Sequence, residues 1–482
     1  MAMAHIKPFC YQDIRYALKL LKRAHARKGS RAAPLSRTFD LLVKGGSVVN
    51  QDGAGISDIG VIDGRIAAIG TLAGASAARV LDAAGLHVLP GVIDTQVHFR
   101  EPGLTHKENL ETGSRSAVLG GVTAVFEMPN TKPATTSAAA LADKVARGRA
   151  RMHCDFAFFV GATHDNVDEL PELELLPGAA GVKVFMGSST GDLLVDDEKT
   201  LARIFSRIRR RAAFHAEDEA RLKERMSLQR DGDPSSHSEW RDARAAFAAT
   251  EQLVRLASQA GKRVHVLHVS TKEEMELLAL HRDVASVEVT PQHLTLTVPE
   301  AYAALGTKAQ MNPPLRDRHH QEGLWWGLSQ GVVDVLGSDH APHTLEEKSK
   351  SYPATPSGMP GVQTLVPVML DHVNAGRLSL SRFVDLTSAG PQRIFGIAGK
   401  GRIAVGYDAD LTIVDLKAER VIDNAWIGSK SGWTPFAGRK VKGWPIGTIL
   451  RGQTAMWEGE LGEAQGEPVR FGEALPSKKP TE

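Results

Sequence analysis

The sequence contains very little cysteine and no long apolar run. Its 482 residues include only two cysteines, Cys10 and Cys154, which cannot supply a disulfide framework, so a reducing cytoplasm is the expected location. No apolar run approaches the roughly 18 to 20 residues of a membrane-spanning helix, so no membrane span is predicted. A hydrophobic content of 42% and a charged content of 24% are typical of a globular protein.

Acidic residues are nearly absent from the first 38 residues, which contain nine lysines and arginines and one acid, Asp13. Removing these from the totals of 58 basic and 56 acidic residues leaves 49 and 55, a net charge of −6 that gives no reason to expect a nucleic-acid partner. Apolar residues at helical spacing predict a short amphipathic helix around residues 13 to 27. We interpret the segment as a disordered extension or as the result of a start site placed too far upstream, with a transit peptide or surface-binding arm as the alternative.

The rest of the sequence shows two different patterns of apolar residues. Residues 39 to 88 and 396 to 465 contain short apolar runs and turn signals, among them Gly45-Gly46 and Asp63-Gly64, and are predicted to pair into one small composite β domain. Residues 89 to 395 alternate apolar strands with helical stretches, which predicts a (β/α)8 barrel, with a doubly wound sheet as the alternative. Residues 466 to 482 are predicted to form a loose tail.

The most informative stretch is PGVIDTQVHFREPGLTHK, residues 90 to 107. An apolar run from residue 88 to residue 93 is followed by Asp94, Gln96, His98 and Arg100, which occupy alternate positions. Alternate side chains of a strand point the same way, so these four are expected to converge at the C-terminal end of the strand. A carboxylate, a histidine and an arginine gathered there indicate a metal with an anionic substrate beside it.

Lys183 lies inside an otherwise apolar strand, in GVKVFMGSSTG. A lysine that points into a barrel is costly unless it is neutralised or paired. Carbamylation of its amine by CO2 would make it an anion able to bridge two metal ions. The alternative is a lysine at a strand edge whose amine reaches water.

Three further polar groups follow predicted strands. His215 ends the strand RAAFH. His268 ends VHVLH, where strand parity predicts that His268 faces inward and His265 faces the helices. Asp339, in VLGSDHAPH, follows the predicted strand Val332 to Leu336, and His343 lies four residues later in the same loop.

One shared metal centre explains these strand-end residues better than independent structural roles do: His98, Lys183, His215, His268 and Asp339. Imidazole together with carboxylate-type oxygen suits zinc. Two metals bridged by an anion would lower the pKa of a shared water and yield hydroxide near neutral pH.

The sequence resembles the amidohydrolase superfamily and, within it, the dihydroorotase family. The matching segments extend over about residues 39 to 460: PGVIDTQVHFREPG, EMPNTKP, GVKVFMGSSTG, FHAEDE, HVLHVST, EVTPQHL, MNPPLR, GSDHAPHTLEEK and GYDADLTIVD. The resemblance implies a (β/α)8 barrel with a composite β domain and one or two zinc ions per chain. It also implies that carbamylated Lys183 bridges the metals, that His98 and Asp339 hold one zinc, and that His215 and His268 hold the other.

The family reaction is the reversible cyclisation of N-carbamoyl-L-aspartate to L-dihydroorotate in pyrimidine biosynthesis. In the hydrolytic direction, metal-bound hydroxide attacks the ring amide and Asp339 shuttles the proton to the leaving nitrogen. The resemblance assigns Arg100, Asn130 and His343 to the substrate carboxylate and Asn312 to the ring. It further implies a cytoplasmic homo-oligomer, a dimer or tetramer, with aspartate transcarbamoylase as a candidate partner.

Arg100 separates this family from its relatives. Allantoinases resemble the motif but place a neutral residue there, and hydantoinases lack the FREPG run, so an arginine suited to a carboxylate favours dihydroorotase over both alternatives. The structural alternative for Arg100 is a salt bridge to Glu101 or Glu108.

Gln96 is the main departure from the family pattern, because most members have a second histidine there. A glutamine carbonyl is a neutral and weak ligand. Three outcomes are open: a binuclear site of lower affinity, a site with one firmly held metal, or a non-catalytic partner of aspartate transcarbamoylase. A dihydroorotase-like subgroup shares this glutamine and its surroundings, which makes it a lineage feature.

Overall fold

The computed structural model describes residues 38 to 187 and 193 to 472. Cys10 and residues 473 to 482 lie outside the described residues, as does the basic segment with its predicted helix, except for Thr38. Within the described ranges, no helix is both long and apolar enough to cross a membrane.

The strands of the described chain form two sheets. In chain order they are β1 Phe39–Asn50, β2 Gly53–Ile62, β3 Arg65–Gly70, β4 Ala77–Asp82, β5 His87–Pro90, β6 Val92–Val97, β7 Val122–Glu127, β8 Asp155–Gly161, β9 Ala179–Phe185, β10 Ala212–His215, β11 Val264–Val266, β12 Ala285–Val289, β13 Val335–Leu336, β14 Leu411–Val421, β15 Lys440–Leu450, β16 Gln453–Trp457 and β17 Glu460–Leu461.

Strands β6 to β13 form a parallel eight-stranded sheet in sequence order. Its two ends meet, because Val97 forms a parallel bridge with His340 and the His98 N–H donates to the His340 carbonyl at 2.7 Å. The predicted (β/α)8 barrel is therefore confirmed, and the doubly wound alternative is wrong.

Helices follow the barrel strands and cover their outer face. The α-helices of the described residues are Leu110–Leu119, Ala138–Gly148, Leu170–Leu173, Glu198–Arg207, Glu219–Arg225, His237–Trp240, Ala243–Ala260, Lys272–Leu280, Pro291–Thr295, Glu300–Leu305, Arg318–Ser329, Leu345–Lys348, Leu365–Asn374, Leu380–Val384 and Gly390–Phe395. Local signals set their limits. The longest begins where the Asp242 side chain accepts the Ala245 N–H at 3.0 Å, and it ends at Gly261, whose φ of 63° suits glycine.

The second sheet contains strands from both ends of the described chain, in the order β17-β16-β15-β14-β5-β1-β2-β3, with β4 also paired to β1. The antiparallel pairing of β5 with β14 joins the two groups of strands. The predicted turn at Asp63-Gly64 is confirmed, since both residues have positive φ between β2 and β3. The predicted turn at Gly45-Gly46 is wrong: β1 continues through these residues, and a register shift there absorbs an extra residue as a bulge.

Side chains of the barrel strands divide into an outer and an inner layer. Phe156 and Phe158 pack toward the helices, whereas Phe126 and Phe159 fill the interior. Both interior rings meet Phe395 edge-on, with ring centroids 5.3 and 6.0 Å from its own. The interior is therefore packed below the strand ends, as in other barrels of this type.

Residues 467 to 472 are not the loose tail that the sequence predicted. Val469 and Phe471 are buried in the barrel interior. The Phe156 N–H donates to the Glu467 carbonyl at 3.1 Å, and the Val469 N–H donates to the Phe156 carbonyl at 2.8 Å. Two apolar side chains and a short parallel bridge fix this segment to the barrel.

The connection between β14 and β15, residues 422 to 439, crosses to the barrel mouth. The Trp433 indole N–H donates to the His343 carbonyl at 2.8 Å. The Lys430 N–H donates to Glu108 Oε1 at 3.2 Å, and the Ser429 hydroxyl also donates to Glu108. A segment from the far end of the described chain thus supports two loops of the barrel.

Candidate active site

One cavity at the C-terminal ends of the barrel strands brings most of the predicted site residues together. Its lining includes Gln96, His98, Arg100, Lys183, His215, His268, Asn312 and Asp339. They come from strands distant in sequence, and seven of these eight side chains are classed as buried, Asn312 being partly exposed. Asn130 and His343 lie directly behind this lining, in contact with His98 and Arg100 respectively.

The backbone is distorted where three of these side chains enter the cavity. Among the described residues, seven other than glycine have positive φ, and three of the seven are Arg100 (65°), His268 (38°) and Asp339 (44°). Such conformations cost on the order of 1 to 3 kcal/mol each and persist where the surroundings impose them. Each of the three lies just beyond the end of a barrel strand. All three side chains line the cavity.

The parity prediction for His265 is wrong. Its ring centroid lies 5.2 Å from that of Phe395, and its Nε2 lies 3.6 Å from Glu288 Oε2, so the ring points into the barrel. Val266 packs in the helix-facing layer instead. Since the strand ends at Val266 and His268 has positive φ, simple alternation does not continue to His268.

His215 is hydrogen-bonded to the carboxylate of a buried ion pair, Glu217–Arg241. The His215 Nε2–H donates to Glu217 Oε2 at 2.9 Å, because a carboxylate can only accept. Glu217 in turn pairs with Arg241, and both side chains are buried. The neighbouring Arg241 guanidinium and the His215 contact hold the pKa of Glu217 well below its usual range, despite burial. This arrangement fixes the tautomer of His215 and directs the lone pair of Nδ1 toward His268.

With His215 as a metal ligand, which the sequence predicts, Glu217→Gln is expected to weaken metal binding about 10- to 100-fold, the usual effect of losing a partner that orients a ligand histidine. Glutamine can still accept from His215 but leaves Arg241 unneutralised. Competition with a chelator measures the affinity, and Glu219→Gln on the adjacent helix is the matched control. Unchanged affinity with an unchanged fold would contradict a positioning role for Glu217.

His98, Asn130 and Asp339 form a second chain of contacts. Asn130 Oδ1 can only accept, so the His98 Nδ1–H donates to it at 2.7 Å. In the neutral ring, the lone pair of His98 Nε2 then faces Asp339 Oδ1 at 3.2 Å. Two electron-rich atoms face each other there, which a cation between them would relieve. Asp339 Oδ1 also accepts from Gln96 Nε2 at 3.0 Å.

Lys183 is buried, which rules out the edge lysine that reaches water. Its Nζ has no hydrogen-bond partner among the described residues and lies 4.4 Å from the centroid of the Phe185 ring. Burial lowers the pKa of Lys183 to about 7, so much of the amine is neutral at physiological pH. A neutral buried amine is a suitable nucleophile toward CO2.

The donor atoms form two close pairs that fit divalent cations. His215 Nδ1 lies 3.0 Å from His268 Nε2, and His98 Nε2 lies 3.2 Å from Asp339 Oδ1. Tetrahedral coordination with metal–nitrogen bonds of about 2.0 to 2.1 Å places two ligand atoms about 3.3 Å apart. Each pair therefore has the spacing of two ligands of one ion, and Lys183 lines the same cavity.

Another group of potential ligands lies on the surface and is unrelated to this cavity. It consists of His164, Asp196 and Asp197, whose ligand atoms lie within 4.8 Å of one another. Asp197 caps the helix Glu198–Arg207, and His164 contacts Thr200. These contacts account for the group structurally, and we assign it no metal.

Arg100 forms no salt bridge with Glu101 or Glu108, so the structural alternative is wrong. Glu101 pairs with Arg151 at 2.8 Å, and Glu108 contacts His340 at 3.4 Å. Arg100 itself is only 3% exposed, forms no ion pair within 4.0 Å of a described acid and donates from Nε to a backbone carbonyl at 3.3 Å. Burial lowers its pKa to about 10, so it remains charged. Asp339, Glu127, Glu347 and Glu108 act on its charge from beyond ion-pair distance. A buried guanidinium that lines the cavity without a direct ion pair has donors available for an anion.

Asn312 lines the cavity, whereas His343 lies behind the lining, in contact with Arg100. The His343 Nε2–H donates to the Ser357 carbonyl at 2.9 Å, and its Nδ1 accepts from Lys107 Nζ at 3.2 Å. Burial lowers the pKa of His343 to about 3, so this ring is neutral. Asn312 Oδ1 accepts from His237 Nε2 at 2.9 Å, which directs the amide donor of Asn312 elsewhere.

Sequence reasoning missed three residues around these groups: Glu217, Arg241 and Lys107. Glu217 was visible as a carboxylate two residues after a strand-end histidine, and Lys107 as the last residue of the GLTHK run. Arg241 lies 24 residues beyond Glu217, and no local signal connects them.

Comparison with known proteins agrees with the geometry. The model of the amidohydrolase family matches residues 87 to 455. A dihydroorotase of Methanosarcina mazei is 37% identical over 443 residues, covering 89% of this chain and 96% of the relative. An allantoinase of Rubrobacter xylanophilus is also 37% identical, over 439 residues that cover 88% of this chain and 95% of the relative.

Among solved structures, the L-hydantoinase (dihydropyrimidinase) of Arthrobacter aurescens superposes with a TM-score of 0.86 at 32% identity, covering 90% of this chain and all of that chain. Relatives with different substrates are thus similar to this chain to nearly the same degree, and similarity alone does not choose among them. On the family match and these relatives, the chain belongs to the amidohydrolase family.

Proposed function

We propose that the protein is a dihydroorotase, which catalyses the reversible cyclisation of N-carbamoyl-L-aspartate to L-dihydroorotate in pyrimidine biosynthesis. The observation that supports this choice is the buried guanidinium of Arg100, which lines the cavity and forms no direct ion pair with a described acid. N-carbamoyl-L-aspartate and L-dihydroorotate both carry a carboxylate in addition to the groups that form the ring amide. Allantoin and simple hydantoins have no carboxylate and would leave Arg100 buried without an anion, which is costly.

We propose that zinc is the metal. His98 and Asp339 would hold one ion, His215 and His268 the other, and Lys183, as its carbamate, would bridge them. When bound, zinc polarises a carbonyl and lowers the pKa of water toward neutrality. The observations that support this assignment are the two ligand pairs and the buried Lys183 amine.

The chain's own residues orient the substrate and move the proton. Arg100 offers a two-pronged donor to the substrate carboxylate, and the Asn312 amide offers a donor to the ring. Asp339 carries the proton between the attacking water and the ring nitrogen. Its Oδ1 is held by the Gln96 amide, which leaves Oδ2 for the proton. Lys107 Nζ lies 3.2 Å from both His343 Nδ1 and Glu347 Oε1, so it orients His343 while Glu347 neutralises its charge.

The test is a substrate panel combined with metal analysis of the purified protein. We expect turnover of N-carbamoyl-L-aspartate and L-dihydroorotate, little or none of allantoin and hydantoin, and zinc in the protein as isolated. Turnover of only an uncharged ring would replace the proposal with an allantoinase or hydantoinase. No turnover of any ring, together with little zinc, would favour a non-catalytic partner of aspartate transcarbamoylase. We also propose that the protein is a cytoplasmic homo-oligomer, and light scattering measures the number of chains in it.

Gln96→His is expected to slow zinc loss to a chelator by at least about tenfold, the size of effect that partners outside the ligand set already produce. The present Gln96 Oε1 is buried with no hydrogen-bond partner among the described residues, so this side chain offers at most a weak neutral oxygen. Gln96→Met, which removes both polar atoms, is the matched control. An unchanged rate of zinc loss in Gln96→His would show that position 96 is not a metal ligand.

A further inference from the structure

A second concave surface, here called the basal cavity, lies at the opposite end of the barrel, where the strands begin. Its basic lining residues are Arg209, Arg210, Arg211, Lys262, Arg263 and Arg393. No aspartate or glutamate is among the described residues that line it. The chain without its first 38 residues has a net charge of −6, so this concentration of positive charge does not follow from the overall composition.

Three separate segments supply these residues. Arg209 to Arg211 connect the helix Glu198–Arg207 to β10, and Lys262 and Arg263 connect the helix Ala243–Ala260 to β11. Arg393 lies in the helix Gly390–Phe395. Since β10 and β11 are adjacent and parallel, their starting residues meet at one end of the barrel.

Part of this charge has a structural role. Lys262 Nζ donates to the Ile208 carbonyl at 2.7 Å, at the end of a helix where a cation is favourable. Arg210 donates to the Ala179 carbonyl at 3.2 Å and stacks over Phe471. Arg393 pairs with Asp385 at 3.2 Å.

Arg211 and Arg263 have no such role. Neither forms an ion pair within 4.0 Å of a described acidic residue, and neither is the donor of a side-chain hydrogen bond to one. Arg211 is partly buried, and its pKa is lowered to about 10 by burial first and then by the like charge of Arg263, with Arg393 contributing in the same direction. Both residues therefore line the basal cavity without a direct ion pair, and the charge of the nearby Asp334 acts on Arg211 only from beyond ion-pair distance.

We propose that the basal cavity binds an anion with several phosphate groups, such as a nucleoside triphosphate or an inorganic polyphosphate. A concave surface lined by one sign of charge concentrates counter-ions, and the planar fork of arginine suits phosphate oxygens. Arg211 and Arg263 supply the donors that the protein itself does not use, and the cations fixed to backbone carbonyls add to the potential.

The test uses the full-length protein and inorganic tripolyphosphate as the probe, with binding measured by calorimetry at constant ionic strength. We expect saturable binding, and a rise in the unfolding temperature since the ligand binds the folded state. The double variant Arg211→Gln/Arg263→Gln should weaken binding at least about tenfold, because it removes the charge-assisted hydrogen bonds of two guanidinium groups. Basal turnover should not change.

Matched controls separate this site from general electrostatics and from the active site. Arg244→Gln/Arg318→Gln changes two exposed arginines in the first turns of the helices Ala243–Ala260 and Arg318–Ser329, and should leave binding unchanged. Arg100→Met should also leave it unchanged, which distinguishes the basal cavity from the proposed substrate site. If the double variant unfolds, Arg263→Gln alone, at an exposed position, provides the test. The proposal is overturned if the wild type shows no saturable binding, or if the variants at Arg211 and Arg263 bind tripolyphosphate as tightly as the wild type does. Either result stands whatever the outcome of the dihydroorotase assay.

Discussion

Asp339→Asn is expected to lower kcat by at least about 10²- to 10⁴-fold, the usual contribution of a positioned acid–base group. Asparagine cannot carry the proton between water and the ring nitrogen. It is also a weaker metal ligand than a carboxylate, so part of the loss will come from the metal. Steady-state kinetics in both directions, together with zinc content, measure the two contributions.

The fold should survive this substitution. Asparagine has the same shape, can still accept from Gln96 and tolerates the positive φ of 44° at position 339. Asp63→Asn is the matched control, because Asp63 also has positive φ, 50°, but lies in a turn of the second sheet. Activity retained in Asp339→Asn with zinc bound would contradict the proton-carrying role.

Arg100→Met is expected to lower kcat/KM for L-dihydroorotate by about 10²- to 10⁴-fold. Two charge-assisted hydrogen bonds to the carboxylate contribute about 1.5 to 3 kcal/mol each, and every 1.4 kcal/mol is a factor of ten. An uncharged ring such as hydantoin does not use these bonds, so its turnover should fall far less or rise. The ratio of the two kcat/KM values measures the change in specificity.

Arg100→Lys separates charge from shape. Lysine keeps the positive charge but loses the two-pronged donor, so an intermediate loss is expected. Both variants carry a side chain at the same positive φ, so the backbone cost is alike. A uniform loss for charged and uncharged rings would mean that Arg100 supports the fold of the site rather than the carboxylate.

Much of the barrel and its site could be predicted from the sequence because strand-end polar residues have a direct physical meaning. His98, His215 and Asp339 follow apolar strands, and parallel strands in sequence order bring their ends to one mouth. Lys183 could be identified because burying a charged amine in an apolar strand is costly unless the amine is neutralised or paired. The wrong prediction of a turn at Gly45-Gly46 also came from a local sequence pattern, because a β-bulge and a turn both favour glycine.

The remaining features depend on contacts that no local pattern encodes. Counting alternate positions back from His268 gave the wrong direction for His265, because β11 ends at Val266 and His268 has positive φ. The Glu217–Arg241 pair joins two loops that flank helices, and it can be recognised only once the positions of both loops in the fold are known. The lowered pKa of His343 follows from burial and from the nearby positive charges of Arg100 and Lys107, not from its motif.

The connection that places Trp433 against the His343 carbonyl has a consequence for dissecting this enzyme. A fragment ending near residue 400 would retain every proposed catalytic group yet lose the indole and the hydroxyl that brace two rim loops. Such a truncated protein should be a poor catalyst even if its strands assemble, so the barrel is not an autonomous module that could be transplanted by itself.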